Sequence, residues 1–332
     1  MVKKNLNSAT AVTTKALVQQ ESYAKSLSLS GRKKASSAIS GLHDSRFRGR
    51  GMDYQESRVY QAGDDIRNMD WLVTARTGTP HTKLFQEERE RPIHIIMDTN
   101  TSMSFGTRKE FKSVTAAKAA SILAWAAVKN GDRVGVMSYG KNGIHHEKPV
   151  GGKRGMMRLI AHLVQADAHE NIPETNKKTQ LQDALQRLRG IIRPGSLVII
   201  VSDFYQLGPE VKRHLIQLKK HNDVLALFIT DSFEINTPLP GIYGINNGQK
   251  SVVFNSKKNR DVKNMQHKQY QHLDNVYANI QKSGVPVIPV LTSDKLQDKI
   301  KQAIKAPAAA WSIFRKGIQQ PDIDANTGAK YG

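Results

Sequence analysis

From residue 91 onward, short apolar runs alternate with longer stretches of helical period. Ile93, Ile95, Ile96 and Met97 follow Pro92 as a run too short for a helix and rich in β-branched side chains, which predicts a buried strand. The run stops at Asp98, and oxygen-bearing side chains then occupy alternate positions: Asp98, Asn100 and Ser102. An Ala-rich stretch from Lys109 to Lys129 comes next. Between Ser113 and Val128 its only charge is Lys118, so it predicts a helix buried on most sides. Further strands are expected at Arg133–Tyr139, Ser196–Ser202, Val224–Thr230 and Val285–Leu291, with a short edge strand at His145–Val150 and a hairpin strand at Ser251–Phe254. Helices are expected at Gly155–Val164, Leu181–Leu188, Glu210–Lys220, Lys263–Lys282 and Lys295–Lys305, the last capped by Ser293. Strands alternating with helices of this length predict an α/β fold with a doubly wound, mostly parallel sheet.

The flanks read differently. Residues 1–40 scatter Ala16, Leu17, Leu27 and Leu29 among Lys, Gln and Ser, which predicts a partly helical N-terminal segment. Residues 41–90 are dense in Gly, Arg and Asp and predict a small β-rich subdomain. Ser57 to Tyr60 and Thr82 to Phe85 are its extended pieces, and Asp64-Asp65 caps a turn or short helix at Ile66 to Leu72. Residues 91–305 form the main domain, and from Ala306 to the end the pattern fades, so 306–332 reads as a tail.

The chain has 332 residues and 39% hydrophobic content, enough for one large core and a smaller satellite. The absence of cysteine closes disulfide, thiolate-metal and Cys-nucleophile chemistry. No apolar run reaches the length of a membrane span, and no apolar core follows the basic N-terminus, so a cytoplasmic protein is expected. The net charge of +21 favours acidic partners. Its Lys/Arg clusters are short and aromatics are only 6%, so an acidic protein surface is expected ahead of nucleic acid.

Three loops carry metal-ligating oxygens at the ends of strands or the starts of helices. They hold Asp98, Asn100 and Ser102; Thr179; and Asp203. Ligands of open α/β sheets sit at the carboxyl ends of the strands. Two carboxylates, two hydroxyls and an amide suit an octahedral Mg²⁺ or Mn²⁺ site with a position open for a partner carboxylate. Each piece also has a plainer use: Thr179 as a helix cap, Asp203 as the cap of a turn over residues 204–208.

Asp98-Thr-Asn-Thr-Ser102-Met103 resembles the metal-ion-dependent adhesion site of von Willebrand factor A domains, usually Asp-x-Ser-x-Ser. Thr179 is similar to the second loop of that site and Ser202-Asp203-Phe204 to the third, with Asn100 in place of the usual Ser. The block from Gly49 to Trp71, continued by Ala75 to Gly78, Phe85 to Glu88 and Ser104-Phe105-Gly106, resembles the bacterial domain-of-unknown-function family number 58. The resemblance spans roughly residues 40 to 300. It implies a partner among MoxR-type AAA+ ATPases, which act as chaperones in assembling or activating client complexes.

Enzyme signatures are sparse. The chain lacks a Gly-x-x-x-x-Gly-Lys-Ser/Thr phosphate loop, a His-Glu-x-x-His pair and a Gly-x-Ser-x-Gly elbow. His145 and His146 fall on opposite faces of a strand. The sequence therefore predicts a non-enzymatic adaptor that binds protein through a Mg²⁺ site, with nucleic-acid association as the alternative.

Overall fold

The structure is a computed structural model. It describes residues 9–24, 27, 52–87, 90–168, 180–205, 207–208, 210–236, 241–246 and 251–317. The chain divides into two compact units, one of residues 1–29 with 91–332 and one of residues 30–90.

Helices α1 (Thr14–Val18) and α2 (Glu21–Ala24) open the larger unit. Thr13 caps α1 through its hydroxyl, and Leu17 is buried.

The smaller unit holds β1 (Met52–Val59), α3 (Trp71–Thr77) and β2 (His81–Glu87). The strands pair antiparallel from Met52↔Glu87 to Val59↔His81. Asp70 caps α3 by accepting from Val73 N, and also accepts from the Ser57 hydroxyl at 2.6 Å. Arg58 pairs with Asp64 at 2.8 Å, and Asp65 caps the turn Ile66–Asn68. Gly78 ends α3 with φ +72°, a conformation that favours glycine. Asp64, Asp65, Asp70 and Arg58 thus work locally. A helix, Trp71–Thr77, stands between the two strands.

The larger unit continues with β3 (Pro92–Thr99), α4 (Lys112–Lys129), β4 (Arg133–Gly140), β5 (His145–Gly151), α5 (Gly152–Ala168), α6 (Leu181–Arg189) and β6 (Leu197–Ser202). After these come α7 (Val211–Lys219), β7 (Asp223–Thr230), α8 (Ser232–Ile235) and the hairpin of β8 (Ile242–Asn246) with β9 (Ser251–Asn255). Then α9 (Asn259–Asn279), β10 (Val287–Leu291), α10 (Leu296–Lys305) and α11 (Pro307–Gly317) complete it.

Six strands form one sheet in the order β10-β7-β6-β3-β4-β5. All pair in parallel except β5, an antiparallel edge. β6 is buried along its whole length, as a central parallel strand covered on both faces must be. Side chains of β3 divide by the period of two: Ile93, Ile95 and Met97 join one core, Ile96 the other. The first core holds α4, α5 and α10; the second holds α6, α7, α9 and α11.

α4 is buried almost all round because Ala at seven positions lets sheet and helices approach closely. The N-terminal segment covers part of it. Leu17 O accepts from Ser121 Oγ at 2.8 Å and Trp125 Nε1 at 3.3 Å. Val12 N donates to Asp167 on α5 at 2.6 Å.

The expected tail from Ala306 is corrected. Residues 307–317 form α11, and its Trp311 is fully buried against Phe228 and Phe314. α10 starts after Lys295 rather than from a Ser293 cap. No helix among the described residues is long and apolar enough to cross a membrane.

Candidate functional site

From β3 the chain crosses through α4 to β4 on one side, and later returns to place β6 on the other. The crevice at the carboxyl ends of β3 and β6 is therefore the topological switch point, where open α/β sheets bind ligands. Asp98 stands at the end of β3 and Ser202-Asp203 at the end of β6.

Asp98 is buried, and both its oxygens are occupied. Oδ1 accepts from Asn100 N at 2.9 Å and Asn100 Nδ2 at 2.8 Å. Oδ2 accepts from the Ser202 hydroxyl at 2.5 Å and the Tyr139 hydroxyl at 3.0 Å. Burial pushes the carboxyl up to about 6, and the nearby Asp203 adds to this; the bonds from Ser202 and Asn100 pull the other way. Burial and the Asp98 charge hold the Tyr139 phenol well above its usual range, so it serves as a donor.

Asp203 begins the loop after β6. The backbone turns through φ +55° at Phe204, a left-handed conformation unusual outside glycine. Phe204 N donates to Ser202 Oγ, and Tyr205 N to Asp203 Oδ1 at 3.2 Å, so the turn is built from the loop's own side chains.

The second Asp203 oxygen accepts from Lys112 Nζ at 2.9 Å. Lys112 opens α4 and is 1% exposed. Its ammonium also donates to Glu234 on α8 at 2.7 Å and lies over the rings of Phe105 and Tyr205. Burial alone would strip the charge; the Asp203 and Glu234 carboxylates outweigh it and hold the ammonium above the usual lysine range. The other Glu234 oxygen accepts from Asp231 N and the Thr230 hydroxyl, so α8's capping box fixes it in place.

At the rim, Tyr205 stacks on His272 with centroids 4.1 Å apart, and His272 shares a hydrogen bond with Asp203 O at 2.8 Å. Burial and then Glu234 push the Tyr205 phenol up to about 12. Burial lowers His272, so its imidazole is held neutral.

Of the five residues expected from sequence, the structure brings Asp98, Asn100 and Asp203 to this crevice, with Ser102 two residues beyond Asn100 in the turn Thr101–Met103. Thr179 lies outside the described residues; the cap of α6 is its neighbour Gln180, in a capping box with Asp183.

The first loop could take a divalent ion only by exchanging for it one of the hydrogen bonds that fill both Asp98 oxygens. Ser102 Oγ is buried with no hydrogen-bond partner among the described residues. A buried hydroxyl left without a partner is costly, and a cation would satisfy it together with the Asn100 amide oxygen. Among the described residues no group of three or more His, Cys, Asp or Glu is set to hold a metal, so hydroxyl and amide oxygens would have to share the task.

Sequence reading missed Lys112, Glu234 and Tyr139. The signal for Lys112 was a single basic residue opening an otherwise apolar helix. Glu234 stood three residues after Asp231, the spacing of a capping box.

The family described as "Protein of unknown function DUF58" matches residues 56–276. A curated relative, the uncharacterized protein Rv1480 of Mycobacterium tuberculosis (strain ATCC 25618 / H37Rv), is 30% identical over 233 residues, 69% of this chain and 71% of its own length. Among solved structures, the conserved hypothetical protein BatB from Bacteroides thetaiotaomicron matches 66% of this chain and 98% of its own at 15% identity and TM-score 0.40. The SpRpn10 VWA domain matches 64% of this chain and 95% of its own at 10% identity and TM-score 0.37.

Proposed function

We propose, for a chain that belongs to the DUF58 family of proteins of unknown function, a non-enzymatic role as a protein-interaction module. Its crevice between β3 and β6 grips an acidic group of the partner. The observation that carries this reading is the Ser102 hydroxyl, buried without a hydrogen-bond partner among the described residues, in the turn that follows Asp98 and Asn100 at the sheet's switch point.

In this reading Mg²⁺ or Mn²⁺ is held by Asp98, Asn100, Ser102 and Thr179, with Asp203 beside them, and supplies a positive centre for a partner carboxylate. The chain's own residues prepare the place. Tyr139, Ser202 and the Asn100 amide fix the Asp98 carboxylate. Tyr205 N orients Asp203. Preorganised groups lose little freedom on binding. The partner expected from the family resemblance is a MoxR-type AAA+ ATPase with its client complex.

The test uses the purified chain and a MoxR-type ATPase from the same organism, in Mg²⁺ and in chelator. Binding is expected only with Mg²⁺, and Asp98→Ala should weaken it by at least about tenfold, a loss of about 1.4 kcal/mol, while leaving the circular dichroism unchanged. Binding that persists in chelator and in Asp98→Ala would sink the metal reading. Binding to DNA or RNA that falls steeply with salt would favour the basic surface instead.

A further inference from the structure

We propose that Lys112 is a tethered cation that withholds Asp203 from a divalent ion, so that the chain at rest holds metal weakly and through the first loop alone. The inference rests on the metal reading above and adds to it the residue that sets metal affinity.

Three observations converge. First, Lys112 is an almost wholly buried ammonium that reaches Asp203 at 2.9 Å, the acid that ends the strand beside Asp98. A metal approaching Asp203 meets a positive charge that cannot withdraw into water, and the two cations repel strongly at such range. Second, Glu234 offers Lys112 a second seat at 2.7 Å. Glu234 is itself fixed through its other oxygen by Asp231 N and Thr230. Asp203 can therefore turn to a metal while Lys112 keeps a carboxylate partner. Third, the Asp203 loop is tied to the rim. Its carboxylate holds Tyr205 N, its carbonyl meets His272, and Tyr205 lies over the same ammonium. A partner seated on Tyr205, which is 49% exposed, presses on the group that must change allegiance. Lys112 thereby links metal occupancy to partner docking.

Lys112 differs from a surface lysine in what its removal does. A distant cation changes metal affinity by long-range charge, which salt screens. Lys112 acts on one carboxylate, so its effect must disappear when that carboxylate is absent.

The experiment measures Mn²⁺ binding to the full chain by electron paramagnetic resonance of the free ion, with no partner present. Lys112→Met is expected to bind Mn²⁺ at least about tenfold more tightly than the parent chain. Lys112→Met/Asp203→Asn is expected to lose that gain. Lys141→Met, which removes a cation near Asp98 but off Asp203, is expected to shift affinity less than about threefold at physiological salt, where exposed charges are screened.

Equal or weaker binding in folded Lys112→Met overturns the proposal, as does a gain that survives in the double variant. Removing one partner of a buried pair can prevent folding. Circular dichroism is therefore recorded with and without Mn²⁺. A variant that folds only when Mn²⁺ is added supports the proposal, and one that Mn²⁺ does not rescue overturns it. Mn²⁺ binding lost in Asp98→Ala but unchanged in Lys112→Met removes this inference and leaves the metal reading. Binding absent from the parent chain and all variants, or retained in Asp98→Ala, removes both.

Discussion

His94 sits in the middle of β3, 4% exposed, with its ring stacked on His146 at 6.1 Å and its Nδ1 without a hydrogen-bond partner among the described residues. Burial, with a smaller contribution from His146, pulls it down to about 4. The folded chain therefore keeps it neutral where the unfolded chain protonates it near 6.5. Its contribution to stability is complete above pH 6.5 and is lost as pH falls from there toward 4, on the order of 3 kcal/mol in all. His94→Phe, which keeps a stackable ring and cannot titrate, should show a smaller fall in melting temperature between pH 7 and pH 5 than the parent chain. Equal falls in the two proteins would count against the assignment. The same burial argument explains why the sequence hid Lys112. A lysine heading an apolar helix reads as a solvated end until Asp203 and Glu234, 91 and 122 residues away, are seen beside it.

At the scale of elements, the alternation from β3 to β10 was readable because each strand is a short apolar run stopped by an acid or a turn. β6 and β7 begin and end within one residue of the expected positions. Boundaries failed where a helix start depends on a neighbour. α5 begins at Gly152, three residues earlier than expected, because the chain turns straight from β5 into it. Gly155 lies so close to β5 that a Cβ there would meet Val150 O at 1.9 Å, so Gly155→Ala should destabilise the chain by roughly 1–3 kcal/mol in chemical denaturation. α11 was missed outright. Its apolar residues look patternless until Phe228 of β7 meets Trp311, a contact that only the folded sheet creates. Trp311→Ala should cost about 3–5 kcal/mol, read as an early melt. A melting temperature within a degree of the parent would show that α11 is dispensable. The site was legible in its first and third loops, where Asp98, Asn100 and Asp203 end strands. Its internal cation was not.

At the scale of the molecule, a net charge of +21 on 332 residues leaves the surface strongly basic, while the candidate crevice gathers Asp203 and Glu234 around one lysine. Charge of that kind raises association rates with an acidic partner and does so less as salt rises. The association rate with an acidic partner should therefore fall between 50 and 300 mM salt by about tenfold or more, with a much smaller change in dissociation rate. A dissociation rate that carries the salt dependence would place the ion pairs in the buried contact instead. The relation of the two compact units to chain order has a further consequence. Residues 9–24 belong to the larger unit, yet the smaller unit of residues 30–90 is made before the rest of it. Val12 is held by Asp167, 155 residues later, and Leu17 by Ser121 and Trp125, 104 and 108 residues later. On a ribosome adding roughly 5–20 residues per second, residues 9–24 wait about 8–30 s for Asp167. For that interval Leu17 has no core to enter, and the smaller unit has time to fold ahead of the body on either side of it in sequence. The nascent chain thus emerges with the apolar face of this segment still open to whatever chaperone meets it at the exit.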